Sequence, residues 1–340
     1  MKITFLERYF NEKEISIERL FNEIKKELES RGIRYESIKN PYPFGLFNIL
    51  RGMVFFYLKQ GKINHITGHI HWAGIFLKPK NTILTIHDIG IPKRPRSLKE
   101  IMFYCFFIYW PIKRLKYITV ISEKTKNDIL MLTPWAKDKI TVIPNCFTVQ
   151  ETSSQIKPIE GTPNFLIVGT RSNKNIENSI MALHGIDCVL TIIGELTAEH
   201  STLLETQKVN YINKKFISDE QLIEAYENAD ILLFMSVFEG FGLPIIEGQA
   251  MNCLIITSNL APMNQVAGKS AFLADPYCVA DIRDKIIKAI KLDAASHEKI
   301  ILEGRENLKK YSVSAVTDQY IDLYNKILKD TAEHNFKKTE

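Results

Sequence analysis

Short apolar runs alternate with longer amphipathic stretches along the whole sequence. The short runs are rich in β-branched residues, which is typical of buried strands, whereas the longer stretches repeat apolar residues at helical spacing. The clearest helix pattern runs from Ser16 to a stop at Gly32, and Ser122 is placed to cap a helix over Lys124–Leu132. This alternation predicts βα units that build parallel sheets.

The predicted strands form two series, separated by a polar, irregular stretch at residues 150–163 that indicates a linker. The first series begins at Lys2, Ile33, Ile63, Thr82, Tyr117 and Lys139, and the second at Phe165, Cys188, Val209, Ile231, Leu254 and Ala271. A chain of 340 residues has room for two such domains. We predict an α/β protein with two Rossmann-like, doubly wound parallel-sheet domains at residues 1–155 and 156–313, a helix at 314–330 and a tail at 331–340.

With 45% hydrophobic and 24% charged residues, the composition is that of an ordinary globular protein. The five cysteines are scattered and form no C-x-x-C pair, which argues against a disulfide framework and predicts a reducing, cytoplasmic environment. Charges at Glu7 and Arg8 come too early for a signal peptide. The longest apolar run, Ile101–Ile112, is shorter than the roughly 20 residues that cross a bilayer.

Charge is distributed unevenly between the two halves. Residues 1–150 carry 25 Lys and Arg against 13 Asp and Glu, whereas the remainder carries 19 against 26. This asymmetry predicts an anionic partner for the first half, the alternative being a solvated basic face. Between Lys93 and Lys116, cations flank an aromatic segment, which predicts peripheral contact with an anionic membrane; a buried helix with exposed basic ends is the alternative.

Ligands of open parallel sheets bind outside the carboxyl ends of the strands, so the residues just after each strand are informative. After the strand at Ile231, the segment Glu239–Pro244 leads into a helix through two glycines, which let backbone amides approach a ligand. Glu239 in this loop and Glu247 in the first helical turn can accept hydrogen bonds from vicinal sugar hydroxyls. Alternatively, Glu247 only stabilises the positive end of the helix.

Two further strand ends carry charged or titratable residues. After the strand at Phe165, Arg171 and Lys174 follow Gly169 and would neutralise a diphosphate, unless they are surface cations. In the first half, His87 would donate to a substrate hydroxyl or act as a base, unless it is structural.

The first half offers other polar residues but no metal site. His69 and His71 alternate after a strand, with no carboxylate or cysteine partner at ligand spacing. Asn145 follows the strand at Lys139. No D-x-D triplet occurs in the sequence, so a metal-bridged diphosphate is not expected.

In order along the chain, these motifs resemble those of glycosyltransferase family 4, a large retaining family with the GT-B fold. Glu239 and Glu247, separated by seven residues, match its glutamate signature, and TIHDIG, VIPN and VGTRSNKN match further blocks. The resemblance extends from Lys2 to Lys329. It implies two facing Rossmann-like domains, with a C-terminal helix that crosses back to the first.

The resemblance also implies roles for single residues. Glu247 would hold the donor ribose, and Glu239 would contact the transferred sugar near its 3- and 4-hydroxyls. Backbone amides would bind that sugar at Phe241, Gly242 and Leu243.

Further roles concern the diphosphate and the first half. Lys174 and, at a shorter spacing, Arg171 match the diphosphate-binding lysine and arginine of the family. His87 matches a histidine that reaches the donor sugar, so that Glu239 and His87 are the predicted catalytic residues. The loop Leu6–Phe10 lacks the glycines found in many relatives and is expected to serve the acceptor. Acceptor-side residues are predicted at Arg8, His71 and Asn145.

We therefore predict a glycosyltransferase that moves a hexosyl unit from a nucleotide-sugar donor to a saccharide or lipid-linked acceptor with retention of configuration. By resemblance, attack is front-face and a leaving phosphate oxygen takes the acceptor proton. The expected setting is surface polysaccharide or lipopolysaccharide synthesis at the inner face of the cytoplasmic membrane, with no cofactor, metal or nucleic acid.

Three alternatives come from other classes. A nicotinamide oxidoreductase would show G-x-G-x-x-G after an early strand, and the sequence has none. A sugar-nucleotide 2-epimerase shares the two-domain architecture, and an assay for epimerised product separates it. A non-catalytic nucleotide-sugar sensor would bind the donor without hydrolysing it.

Overall fold

The computed structural model describes residues 1–9, 16–89, 97–152, 155–156 and 158–336. The chain forms two compact units, the first made of Met1–Thr148 with Ser312–Glu340 and the second of Val149–Tyr311. The stretch predicted as a linker falls at the start of the second unit, and its residues 153, 154 and 157 lie outside the described part. Each unit has its own sheet and its own hydrophobic core.

The first unit is built on a parallel sheet of six strands in the order β2-β1-β3-β4-β5-β6. Its strands are β1 (Lys2–Glu7), β2 (Arg34–Lys39), β3 (Ile63–Ile66), β4 (Thr82–Ile86), β5 (Tyr117–Val120) and β6 (Ile140–Val142). Its helices include α1 (Ser16–Ser30), α2 (Leu46–Lys59), α3 (Leu98–Tyr104), α4 (Trp110–Arg114) and α5 (Glu123–Leu132), a π-helical segment joining α3 to α4. Strands β3, β4 and β5 are buried along their whole length, as expected for parallel strands covered on both faces.

The second unit repeats this architecture with six parallel strands in the order β12-β11-β10-β7-β8-β9. Its strands are β7 (Asn164–Val168), β8 (Val189–Ile193), β9 (Asn210–Lys214), β10 (Ile231–Phe234), β11 (Leu254–Ser258) and β12 (Ala271–Ala274). Its helices are α6 (Ile176–Ala182), α7 (Ala198–Thr206), α8 (Asp219–Glu227), α9 (Leu243–Ala250), α10 (Met263–Ala267), α11 (Val279–Ile290) and α12 (Ala294–Leu308). The predicted α/β class with two parallel sheets is confirmed.

Local signals in the sequence also mark helix ends correctly. Gly32 adopts a φ of 72° just after α1, a left-handed conformation that costs glycine little. At the start of α5, the Ser122 hydroxyl accepts a hydrogen bond from the backbone N–H of Thr125 at 3.1 Å. Both helix boundaries are therefore set by local chemistry that the sequence displays.

The last helix, α13 (Val313–Phe336), belongs to the first unit and packs against α1. Residues 331–336, predicted as part of a tail, are helical and continue α13. Tyr320 and Tyr324 of α13 enter the same buried cluster as Phe5 and Phe21. Residues from both ends of the sequence therefore share one hydrophobic cluster in the first unit.

His65, fully buried in β3, links α13 to the sheet by hydrogen bonds. Its Nδ1 lies 2.7 Å from the Tyr324 hydroxyl and its Nε2 lies 2.8 Å from the Thr85 hydroxyl. Burial, with a smaller contribution from the charge of His87, lowers the pKa of His65 to about 3. The imidazole is therefore neutral at physiological pH in the folded chain.

This buried histidine predicts a loss of stability in acid. The unfolded chain protonates His65 near the ordinary histidine pKa of 6.5, whereas the folded chain does so only at a pKa of about 3. The free energy of unfolding should therefore fall as the pH drops from 6.5 towards 3, because only the unfolded state takes up the proton. Urea unfolding at about pH 7 and about pH 5 measures this pH dependence. In His65→Gln the dependence should be weaker, by the uptake of about one proton on unfolding. An unchanged pH dependence in His65→Gln would contradict the assignment.

Candidate functional site

The sheet of the second unit reverses its strand order between β7 and β10. The chain adds β8 and β9 on one side of β7 and then returns to place β10, β11 and β12 on the other. At such a reversal the two loops that follow the central strands turn apart and leave a crevice at the carboxyl edge, where ligands bind in folds of this type. The loops after β7 and β10 hold the predicted donor residues.

The loop after β7 is shaped around Gly169 and Lys174. Gly169 has a φ of 90°, and a Cβ atom added there would lie 2.9 Å from Cε of Lys174. A short 3-10 turn, Ser172–Lys174, then leads into α6. The glycine therefore gives the lysine side chain room to lie back across its own loop. Arg171, by contrast, has an exposed side chain.

Lys174 and Glu239, predicted from separate motifs, form an ion pair. The Lys174 ammonium lies 2.7 Å from Oε1 of Glu239 and 4.5 Å from the ring centre of Phe234, and both charged side chains are largely shielded from solvent. The Asn173 amide also donates to Oε1 of Glu239 at 3.0 Å, and to the carbonyl of Phe238 at 2.8 Å. The two loops of the crevice are thus joined by polar contacts.

Sequence reasoning did not identify Asn173. The signal was available, because this asparagine directly precedes Lys174 in a loop, RSNKN, that is rich in amide side chains. Its amide fixes the Glu239 carboxylate through the same oxygen that the ammonium uses. We regard it as part of the candidate site.

The loop after β10 ends in a left-handed glycine. Gly242, with a φ of 105°, precedes the first residue of α9, and Pro244 lies in the first turn, where its missing N–H costs no hydrogen bond. The Phe241 side chain is buried and packs edge-on against Tyr311 at 5.5 Å. These contacts hold the start of α9, with Leu243 as its first residue, against the rest of the unit.

Glu247 is the fifth residue of α9, so the prediction that it lies in the first turn is wrong. The helix begins at Leu243 because Gly242 takes the left-handed conformation. Glu247 is buried, and the Tyr226 hydroxyl of α8 donates to its Oε2 at 2.8 Å. Burial, followed by the charge of Glu247, raises the pKa of Tyr226 well above its ordinary value. The tyrosine therefore remains a donor to the carboxylate.

The first unit has its own reversal of strand order, between β1 and β3. Arg8 follows β1, and its guanidinium makes two contacts with the Glu18 carboxylate, at 2.6 and 3.0 Å. The ring of His69, after β3, lies 6.0 Å from that of His71 and 6.4 Å from that of His87. Arg8 and the three histidines therefore belong to neighbouring strand ends.

The hydrogen bonds of His87 and His71 define their neutral tautomers. Nε2 of His87 donates to the carbonyl of Thr67 at 2.9 Å, and Nδ1 of His71 donates to the carbonyl of Phe107 at 2.9 Å. Burial, then the charge of His69, lowers the pKa of His87 to about 4 and that of His71 to about 3. At neutral pH the remaining nitrogen of each ring is an acceptor, so His87 can accept a hydroxyl hydrogen at Nδ1 but cannot donate one there.

Asn145 stands apart from this group. It follows β6, and β5 separates that strand from β4 and His87. The side chain is buried. The structure therefore groups Arg8 and His71, but not Asn145, at the reversal of the first sheet.

A cavity of about 460 Å³ opens at the same edge of the first unit. Its wall combines Arg8 and His69 with aromatic and amide side chains, among them Tyr9, Tyr42, Phe44, Asn48 and Trp72. Tyr42 and Phe44 come from the segment between β2 and α2, which lacks a strand-end motif. Sequence reasoning named Arg8, its loop and His69, but it missed Tyr42, Phe44, Asn48 and Trp72, because only the fold brings them around one cavity.

Neither a metal cluster nor a membrane span is found in the described ranges. Within these ranges, no three His, Cys, Asp or Glu side chains are grouped as they would be around a metal ion. No helix in the same part of the chain has the length and hydropathy to span a bilayer.

The strand orders and the position of α13 define the GT-B fold, a class in which two Rossmann-like sheets are combined. Solved structures with this architecture include a glycosyltransferase from Rickettsia africae ESF-5, with a TM-score of 0.71 and 19% identity over 96% of this chain and 99% of that one. WaaG, a glycosyltransferase of lipopolysaccharide biosynthesis, gives a TM-score of 0.70 and 13% identity over 95% of this chain and 99% of its own. At these identities the similarity establishes the fold.

Sequence comparison gives a match to a family model in the second unit. Residues 149–312 match the family model of glycosyl transferases group 1. The O-antigen chain mannosyltransferase RfbU of Salmonella typhimurium is 28% identical over 207 residues, which is 58% of this chain and 57% of that protein. The capsular polysaccharide biosynthesis glycosyltransferase CapM of Staphylococcus aureus is 31% identical over 160 residues, which is 45% and 41% respectively. The matches therefore span less than two thirds of either relative.

The backbone conformation of Gly169 predicts how much stability the second unit should lose when this glycine is replaced by alanine. Gly169→Ala should destabilise the second unit by at least about 2 kcal/mol, because a left-handed alanine is strained and its Cβ meets Lys174. The control Gly185→Ala shares a left-handed φ, of 67°, but its Cβ would enter open space, so about 1 kcal/mol is expected. Urea unfolding measures both. Equal losses would show that Lys174 moves aside freely.

Proposed function

We propose that this chain is a metal-independent glycosyltransferase that moves a hexosyl unit from a nucleotide-sugar donor with retention of anomeric configuration. The observation that carries the proposal is the Lys174–Glu239 pair at the strand reversal of the second unit. It lies within the residues that match the group 1 family model. A cation beside a fixed carboxylate suits a ligand that joins a diphosphate to a sugar.

The donor is proposed to bind along the crevice between the β7 and β10 loops. Lys174 has three N–H donors and can contact phosphate oxygens while it keeps Glu239 in place. The exposed Arg171 is available for the same diphosphate. Backbone amides at the start of α9 would bind the sugar, with Glu239 accepting from two of its hydroxyls.

Glu247 is proposed to hold the ribose of the donor. The Tyr226 hydroxyl donates to Oε2 of Glu247, and because a carboxylate accepts several hydrogen bonds, the two ribose hydroxyls are proposed to donate to it as well. The hydrogen bond to Tyr226 also fixes the carboxylate before a ligand arrives, which lowers the entropic cost of binding.

The reaction would be a single exchange of bonds at the anomeric carbon. The bond from this carbon to the phosphate oxygen breaks, the bond to the acceptor oxygen forms on the same face, and the leaving phosphate takes the acceptor proton. Lys174, Arg171 and the positive end of α9 would stabilise the charge that develops on the leaving nucleoside diphosphate. His87 of the first unit is neutral, and its proposed role is to accept a hydrogen bond from a substrate hydroxyl.

The acceptor is proposed to be a saccharide, free or lipid-linked, that occupies the cavity beside Arg8. Exposed aromatic side chains such as Tyr9 and Phe44 suit the apolar faces of sugar rings, and Asn48 offers an amide to hydroxyls. RfbU and CapM are named for O-antigen and capsular polysaccharide synthesis, which supports a role in making surface polysaccharides. The proposed place of this role is the cytoplasmic face of the membrane. Mannose is the first sugar to test, because RfbU is named a mannosyltransferase.

Donor binding can be tested without knowing the acceptor. The melting temperature of the wild type should rise with one family among UDP, GDP, ADP, CMP and their sugar conjugates, without added metal. Glu247→Ala should abolish that rise, because it removes the proposed ribose acceptor. The control Glu205→Ala changes an exposed carboxylate of α7 and should keep the rise. A wild type that responds to no nucleotide would contradict the donor assignment.

Turnover tests the role of Glu239 separately. Glu239→Gln should lower the release of nucleoside diphosphate by about 100-fold or more while nucleotide binding persists, because contacts that strengthen in the transition state are lost. Unchanged turnover would contradict the catalytic role of Glu239. Epimerised sugar nucleotide as the product would indicate an epimerase, and binding without any turnover would indicate a sensor.

A further inference from the structure

Helix α2 exposes an apolar face on the first unit. One side of the helix is buried through Ile49, Gly52, Met53 and Phe56, and a Cβ atom added at Gly52 would lie 2.5 Å from the Trp72 ring. This close contact fixes which side points outward. The outward residues are Leu46, Phe47, Leu50, Val54, Tyr57 and Leu58, each at least half exposed. A helix on the surface of a water-soluble domain normally places polar residues there.

Neighbouring elements extend this face. Phe44, 81% exposed, precedes α2, and its ring lies 6.5 Å from that of Phe107 in the segment between α3 and α4. Helix α3 has no buried residue and exposes Leu98, Ile101, Met102 and Phe103. An apolar groove between α2 and α4 is lined by Val54, Tyr57, Ile75, Phe76 and Trp110. We call the exposed apolar residues of 44–58, 98–103 and 110 the α2–α3 surface.

Continuous apolar surfaces of this extent mark interaction sites, and the charges around this one select the partner. From Asn40 to His87 the sequence contains no Asp or Glu, and its cations are Arg51, Lys59, Lys62, Lys78 and Lys80. On the groove side, Lys113 and Arg114 stand beside Trp110, with the Lys113 ammonium 5.4 Å from the indole ring. The apolar surface is therefore bordered mainly by positive charge, with Glu100 of α3 as the acidic residue within its own segments.

Aromatic residues next to cations around an apolar centre are the arrangement of a protein face that rests in an anionic lipid interface. A second copy of this chain fits less well. A two-fold interface would bring the same cations of both copies together, and their repulsion opposes association.

We propose that the α2–α3 surface docks on an anionic lipid bilayer, with the aliphatic and aromatic side chains entering the headgroup region and the bordering cations contacting lipid phosphates. Residues 93–96 of the segment predicted to meet the membrane lie outside the described residues, and the surface does not depend on them. Phe44 belongs both to this surface and to the wall of the cavity beside Arg8. Docking would thus bring a lipid-linked acceptor to that cavity, a consequence that rests on the proposed function, whereas docking itself does not.

Vesicle flotation tests the proposal with the full chain. The wild type should float with phosphatidylcholine vesicles that contain about a third phosphatidylglycerol, and should not float with pure phosphatidylcholine or in high salt. The variant Phe47→Glu/Leu58→Glu changes two side chains that are 72% and 74% exposed, so folding should be retained. Its partition into anionic vesicles should fall about tenfold or more.

The matched control is Phe216→Glu/Leu302→Glu, which adds the same charge at exposed apolar residues of the second unit and should leave flotation unchanged. No flotation of the wild type, or equal losses in both variants, would overturn the proposal. So would a wild-type dimer that only the α2 variant converts to a monomer, since the surface would then join two copies. Donor-induced melting shifts should persist in the α2 variant, so a failure of docking and a failure of the proposed donor site are distinguishable.

Discussion

The arrangement of the candidate site depends on one constraint, the reversal of strand order in a parallel sheet. Parallel strands need long crossover connections, so the loops at their carboxyl ends are the places where the chain has freedom. Between β7 and β10 the crossovers leave in opposite directions, so the two loops border one crevice and side chains reach across it. Lys174 and Glu239 form their ion pair at this point, although 64 residues lie between them in the sequence. The first sheet has the same reversal between β1 and β3, where Arg8 and His69 lie.

Shielded polar pairs hold the side chains of the candidate site in the second unit in fixed positions. A shielded carboxylate without a partner would be costly, and Asn173 with Lys174 satisfies Glu239 as Tyr226 satisfies Glu247. Side chains held in this way do not need to be ordered at the moment of binding. The stability of the loops and the readiness of the site therefore have the same physical origin.

In the first unit, one short segment of the chain connects the cavity beside Arg8 with the exposed apolar face of α2. Between β2 and α2 the chain contributes to the cavity beside Arg8, and from Phe44 onward it contributes to the exposed apolar face of α2. The buried histidines nearby are neutral, so the positive charge of this unit lies on its surface lysines and arginines. Such a distribution suits a protein that meets a saccharide in a cavity and an anionic surface beside it.

The sequence by itself determined the strands, the α/β class, the helix ends at Gly32 and Ser122, and the candidate residues in the loops after β7 and β10, because each depends on local periodicity or backbone preference. Only the tertiary structure decided that Tyr226 meets Glu247, that Asn173 shares the carboxylate of Glu239, and which side of α2 is covered. An apolar helix reads in sequence as a buried one. Periodicity shows which residues share a face, but whether another element covers that face depends on packing between segments far apart in the chain.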